Sequence, residues 1–141
     1  MIAYLDSSVL LRVVLLQEPQ LTEWDRLDGG VCSALVRTEC ARTIDRFWRT
    51  GQMTEDDVFV KRGEIATVLA HMQMLPVDNR VLERASASFP THLRTLDAIH
   101  LATALLYREQ NREQHILFAT HDHALARAAR AMHFDTIGAA A

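Results

Sequence analysis

Four carboxylates stand where a metal site would need them. Asp6 follows the apolar run Ile2 to Leu5 and precedes Ser7-Ser8 and a second apolar run, Val9 to Leu16. Asp122 sits in a near-duplicate of that pattern: the apolar run Ile116 to Ala119, then Thr120-His121-Asp122, then a helical stretch. Glu39 lies in the stretch Ala34 to Thr50, beside its apolar stripe Val36, Cys40, Ile44, Phe47 and Trp48. Asp97 opens a further helix and is flanked by the apolar Leu96, Ala98 and Ile99. Like charges brought close repel and raise one another's pKa, and a divalent cation removes that conflict. Donor sets made only of oxygen select hard ions such as Mg²⁺ or Mn²⁺.

Three of the acids also have a plain structural reading. Asp6 after a strand is a helix cap worth about 1 kcal/mol. Asp97 stabilises the dipole of its helix. Glu39 forms an ion pair with Arg42 or Arg46 at the helix rim. The metal reading rests on all four together, and His100, one turn from Asp97, reads as a satisfied neighbour at a helix–helix contact.

The elements that must position these acids alternate along the chain. Ile2 to Leu5 has the length and apolarity of a buried strand, and Ser7 or Ser8 would cap the helix that follows. Gln20 to Leu27 reads as a short second helix carrying Trp24, Asp28-Gly29-Gly30 as a turn, and Val31 to Ser33 as a strand. Ala34 to Thr50 is a helix closed by Gly51. Thr54 caps the next, which continues to Met74, and Leu75 to Val77 is a third strand. Helices follow from Asp78 to Ala87 and from Leu96 to Glu109. After the strand Ile116 to Ala119 come a helix from His123 to Met132 and a last strand, Phe134 to Ile137; the alanine-rich end is expected to be loose. This order predicts a three-layer α/β/α sandwich with a short, mostly parallel sheet. Parallel strands place Asp6 and Asp122 at the same, carboxyl edge, where open sheets of this kind bind ligands.

The 141 residues suffice for a single domain over 1–141, and 49% hydrophobic content supports a sizeable core. No apolar run approaches the roughly 20 residues that cross a bilayer, and no basic leader precedes the first run, so a cytoplasmic location without membrane contact is the expectation. Cys32 and Cys40 fit neither a redox pair nor a zinc knuckle and read as core residues. A net charge of −3 is unlike that of a protein holding nucleic acid by charge alone, so bound cations would have to cover part of the repulsion. Lys61 is the one lysine among 15 basic residues; the arginines suit forked phosphate contacts, with Arg12 and Arg94 as candidates beside the commoner reading of solvated surface residues.

The chain resembles the PIN-domain ribonucleases, and within them the VapC toxins of type II toxin–antitoxin pairs, over nearly its whole length. Tyr4-Leu5-Asp6-Ser7-Ser8 resembles the opening motif, Ala34 to Glu39 the helix with its glutamate, and Phe118 to Asp122 with Ala124-Leu125-Ala126 the final strand, acid and helix. Leu96 to Ala104 is the most specific match. The resemblance implies an endoribonuclease dependent on Mg²⁺ or Mn²⁺, a cognate antitoxin and a homodimer. It carries over Asp6, Glu39, Asp97 and Asp122 as catalytic, metal-holding acids, with Ser8 and Thr120 as supporting hydroxyls. Its chemistry would be attack of metal-activated water on an RNA phosphodiester, leaving a 5′-phosphate and a 3′-hydroxyl. His121 and His123 around Asp122 depart from the family pattern. They hint at transition-metal ligation, but histidine partners at zinc spacing are missing. Trp24, Phe47 and Trp48 would offer anchors to an antitoxin helix if exposed.

Three other readings compete. A catalytically inactive module of the same fold would hold an antitoxin without turnover. A phosphoacceptor, receiver-like domain would need a lysine after a late strand, and a haloacid-dehalogenase-type phosphatase a second aspartate where Ser8 stands.

Overall fold

A computed structural model describes residues 1–139. The expectation of a loose end bears on residues 140–141, outside the described residues. Five parallel strands, β1 (Ile2–Leu5), β2 (Gly29–Ser33), β3 (Gln73–Leu75), β4 (Ile116–Ala119) and β5 (Thr136–Ile137), form one sheet in the order β3-β2-β1-β4-β5. The helices are α1 (Ser7–Leu15), α2 (Leu35–Arg49), α3 (Glu55–Ala70), α4 (Asn79–Ser86), α5 (Thr95–Gln110) and α6 (His123–Ala131).

Alternation of side chains along the strands divides the core in two. Ala3, Leu5, Cys32 and Ala119 pack beneath α1, α2 and α3 with Val9, Val36, Ile44 and Leu69. Tyr4, Val31, Ile116 and Phe118 pack on the other face with Leu101, Leu105 and Leu125 of α5 and α6. The short α4 rests on α5 through Val81, Ile99 and Ala102. The three layers agree with the sequence.

The winding reverses between β1 and β4. Leu5 pairs with Ala119, so the residues just beyond, Asp6 and Thr120, emerge side by side at the carboxyl edge. The Asp6 amide extends the pairing by donating to the Ala119 carbonyl at 3.2 Å.

Local differences from the sequence reading have physical reasons. The cap of α1 is Asp6 itself, whose side chain accepts from the Ser8 amide, and not Ser7 or Ser8. Gly29 and Gly30 belong to β2 rather than to a turn. A Cβ on Gly30 would meet the Met72 sulfur and the Leu5 side chain, so the strand needs glycine there to pack. Helix α3 stops at Ala70 and β3 starts at Gln73, because Gln73, Met74 and Leu75 pair with Val31, Cys32 and Ser33. Of Gln20 to Leu27 only a 3₁₀ turn, Trp24–Arg26, is helical, since Trp24 and Leu27 are drawn onto the core beneath α1 and α2. Thr54 caps α3 as expected, in a reciprocal box with Asp57. Lys61 donates to the Val14 carbonyl at the end of α1 and to Glu64, tying two helices together away from the sheet edge.

Candidate metal centre

Asp6 forms the floor of the site. It is 5% exposed, and both of its oxygens are held by hydroxyls. Ser8 Oγ lies 2.5 Å from Oδ1, and Thr120 Oγ1 lies 2.7 Å from Oδ2. The two hydroxyls in turn accept backbone amides: His121 N donates to Ser8 Oγ and Asp122 N to Thr120 Oγ1, both at 3.0 Å. The ends of β1 and β4 are thereby laced together around one carboxylate. Burial pushes the Asp6 carboxyl above its ordinary range, and the hydroxyl bonds and the nearby His100 pull against it.

Above this floor lies a cavity of about 810 Å³ whose lining includes Glu39, Asp97 and Asp122. Glu39 reaches it from α2, Asp97 from the first turn of α5 and Asp122 from the N-cap of α6. Burial, and then the charges of Asp122 and Asp6, raise the Asp97 carboxyl, with Glu39 adding to the effect and His100 opposing it. Asp97 thus feels the other three acids, although they come from separate parts of the chain.

Glu39 does not pair with Arg42 or Arg46. Arg42 turns to Asp45, and Arg46 lies over the Phe47 ring. The partner of Glu39 is His100, whose Nε2 stands 2.6 Å from Oε1. Burial disfavours a charged His100, but the bond to Glu39 and the charges of Glu39, Asp6 and Asp97 outweigh it and raise its pKa. His100 is therefore the residue the sequence reading undervalued. The signal was its place one helical turn from Asp97, on the same face.

The basic candidates divide. Arg94 and His92 line the cavity, whereas Arg12 donates to the Pro19 carbonyl at 2.8 Å. His121 is buried and its Nδ1 donates to the Gly138 carbonyl, while His123 is exposed on the first turn of α6. Trp48 is exposed with Arg49 over its ring, and Trp24 is half-buried against the core.

The donor types fit a hard cation: carboxylates only, two of them with raised pKa values, around a concave floor. The carboxylates are spread across the cavity, however, and among the described residues no three of His, Cys, Asp or Glu stand in an arrangement that could hold an ion without side-chain rotation. Three of the four acids have oxygens already committed. Asp6 is held by Ser8 and Thr120, Glu39 by His100, and Asp122 Oδ1 accepts the Leu125 amide of α6.

The PIN domain family matches residues 3–131. The chain belongs to the PIN domain family. Among curated PIN relatives it is 33% identical over 141 residues to Ribonuclease VapC47 of Mycobacterium tuberculosis, covering 94% of this chain and 93% of that protein. It is 39% identical over 105 residues to Ribonuclease VapC46 of the same species, covering 72% of each. This PIN domain is thus of the VapC type. Its fold is also that of a toxin–antitoxin complex chain from Klebsiella pneumoniae, with a TM-score of 0.66 at 15% identity over 92% of this chain and 93% of that one. A crystal structure from Pyrobaculum aerophilum matches with a TM-score of 0.61 at 15% identity, covering 95% of this chain and 82% of the other.

Proposed function

We propose that this PIN domain is a divalent-metal-dependent endoribonuclease, the toxin of a toxin–antitoxin pair, with Asp6, Glu39, Asp97 and Asp122 holding Mg²⁺ or Mn²⁺. The observation that carries the proposal is that Glu39, Asp97 and Asp122, from three separate elements, line one crevice, with the buried Asp6 at the β1–β4 switch point near enough for its charge to raise the Asp97 carboxyl. The names of the VapC relatives support the activity, and divalent-metal use is general among PIN-domain ribonucleases.

The geometry supports the following roles. Asp6 is fixed on both oxygens and gives the site a rigid negative floor. Asp97 and Asp122 border the open cavity; Asp122 caps α6 through Oδ1 and has its other oxygen to offer an ion. Glu39 is held through one oxygen and has the other to offer. Arg94 and His92 on the lining would meet a phosphodiester, the arginine through its fork. When bound, a divalent ion would lower the pKa of an attacking water and offset phosphate charge. Ser8 and Thr120 hold Asp6 and tie it to the backbone amides of His121 and Asp122.

An antitoxin partner, a homodimeric state and a cytoplasmic place belong to the same proposal; no described helix is long and apolar enough to cross a membrane. The spread of the carboxylates favours one second reading, an inactive module that holds an antitoxin. A single experiment separates the two. Partner-free protein is incubated with end-labelled RNA in Mg²⁺, in Mn²⁺ and in chelator. The proposal expects cleavage that chelator stops and that Asp6→Asn or Asp97→Asn abolishes. Full activity in either variant removes these acids from the mechanism, and absence of cleavage with either ion favours the inactive module.

A further inference from the structure

His100 is almost wholly buried, yet both of its ring nitrogens are engaged by side chains from other elements. Nε2 faces Glu39 Oε1 of α2 at 2.6 Å, and Nδ1 faces the Tyr4 hydroxyl of β1 at 2.8 Å. A carboxylate can only accept, so Nε2 carries a hydrogen whether the ring is neutral or charged. A neutral ring then offers a lone pair at Nδ1, to which the Tyr4 hydroxyl donates; a charged ring donates to that hydroxyl instead. Tyr4 supports the same ring orientation in both cases. Its own place is fixed, because it is fully buried and stacked on Phe118 with ring centroids 5.2 Å apart.

The geometry points to His100 as a positioning residue that holds Glu39 by one oxygen, with Tyr4 orienting the ring, so that Glu39 presents its Oε2 to the crevice in one fixed direction. The inference rests on the metal reading above and adds to it a buried support running from the central strand to the third acid. Without that support Glu39, whose side chain is 20% exposed, is free to swing toward solvent. Supports of this kind commonly alter metal affinity by about 10–100-fold when removed. A histidine that merely packed three elements together would influence folding and leave ion binding untouched.

The test is Mn²⁺ binding to the full, partner-free chain, read from the paramagnetic resonance of free Mn²⁺, with thermal unfolding followed alongside. His100→Asn keeps an amide near Tyr4 but falls short of Glu39; His100→Gln extends a donor to Glu39. The expected result is a loss of about 10–100-fold in affinity for His100→Asn, with most of it restored in His100→Gln. Adding Glu39→Ala to His100→Asn should lower affinity no further than Glu39→Ala alone. Wild-type affinity in folded His100→Asn overturns the inference and leaves the metal reading standing. Failure of the wild-type chain to bind Mn²⁺ overturns both. Should His100→Asn not fold, nitrogen NMR of the wild-type ring decides: a protonated Nε2 whose resonance moves as Mg²⁺ is added supports the inference, and one that stays still overturns it.

Discussion

Thr120 Oγ1 donates to Asp6 Oδ2 at 2.7 Å across 114 positions of sequence, and the same hydroxyl accepts the Asp122 amide. One side chain thus joins the first acid to the backbone of the last. A bond to a charged, buried group contributes about 1.5–3 kcal/mol, so Thr120→Val, which keeps the shape and removes the hydroxyl, should lower unfolding stability by about that amount. Urea denaturation in chelator measures it. A loss below about 0.5 kcal/mol would mean that the hydroxyl does little for Asp6.

Acidity provides a second check. The pKa of His100 is raised in the fold by Glu39, Asp6 and Asp97, against burial, while Tyr4 faces its other nitrogen. Its contribution to stability is complete below the unfolded histidine value of about 6.5 and fades as pH rises through the folded value. Asp6 and Asp97 are raised mainly by burial, so the folded state grips their protons more tightly than the unfolded chain does, and ionising them also costs stability as pH rises. Both effects have one sign. In chelator, the midpoint of thermal unfolding should be lower at about pH 8 than at about pH 6. An unchanged or rising midpoint contradicts the assignment.

Two glycines should respond oppositely to alanine. Gly63, within α3, has open space around it, so Gly63→Ala should stabilise the protein by about 0.5–1 kcal/mol. Gly138 has φ of +100°, and a Cβ there would stand 2.5 Å from the Thr120 carbonyl oxygen. Gly138→Ala should cost about 1–3 kcal/mol and disturb the His121 contact to its carbonyl. Differential scanning calorimetry of the two variants tests both signs.

The cysteines supply a probe of opening. Burial, chiefly, pushes the Cys32 thiol up to about 11 and the Cys40 thiol up to about 12, and both side chains are fully buried. Neither should be alkylated by iodoacetamide in the native protein, and both should react in urea. Rapid labelling of native protein would show that the core beneath α2 opens locally.

Most of the architecture was legible because parallel strands covered on both faces are short apolar runs, and the acids that follow them also cap helices. The same physics hid the details. Gly29 and Gly30 look like a turn, and only the approach of Met72 and Leu5 shows why a strand needs them. Residues 71–77 hold no periodic signal that separates the end of α3 from β3; pairing with β2 decides it. That the four acids fall at strand ends and helix starts or on a helix face was legible, but the bonds that hold them were not. The commitments of Asp6 to Ser8 and Thr120, and of Glu39 to His100, cross from one element to another and leave no trace in local spacing.

The central strand of the sheet is synthesised long before the neighbour that completes it. A chain cut short ahead of Ile116 contains Asp6, Glu39 and Asp97 but has neither the Thr120 hydroxyl, one of the two that steady the first of them, nor Asp122. The crevice therefore cannot be completed before β4 and the residues just beyond it are in place. The pocket is thus assembled only after the residues through Asp122 have been made.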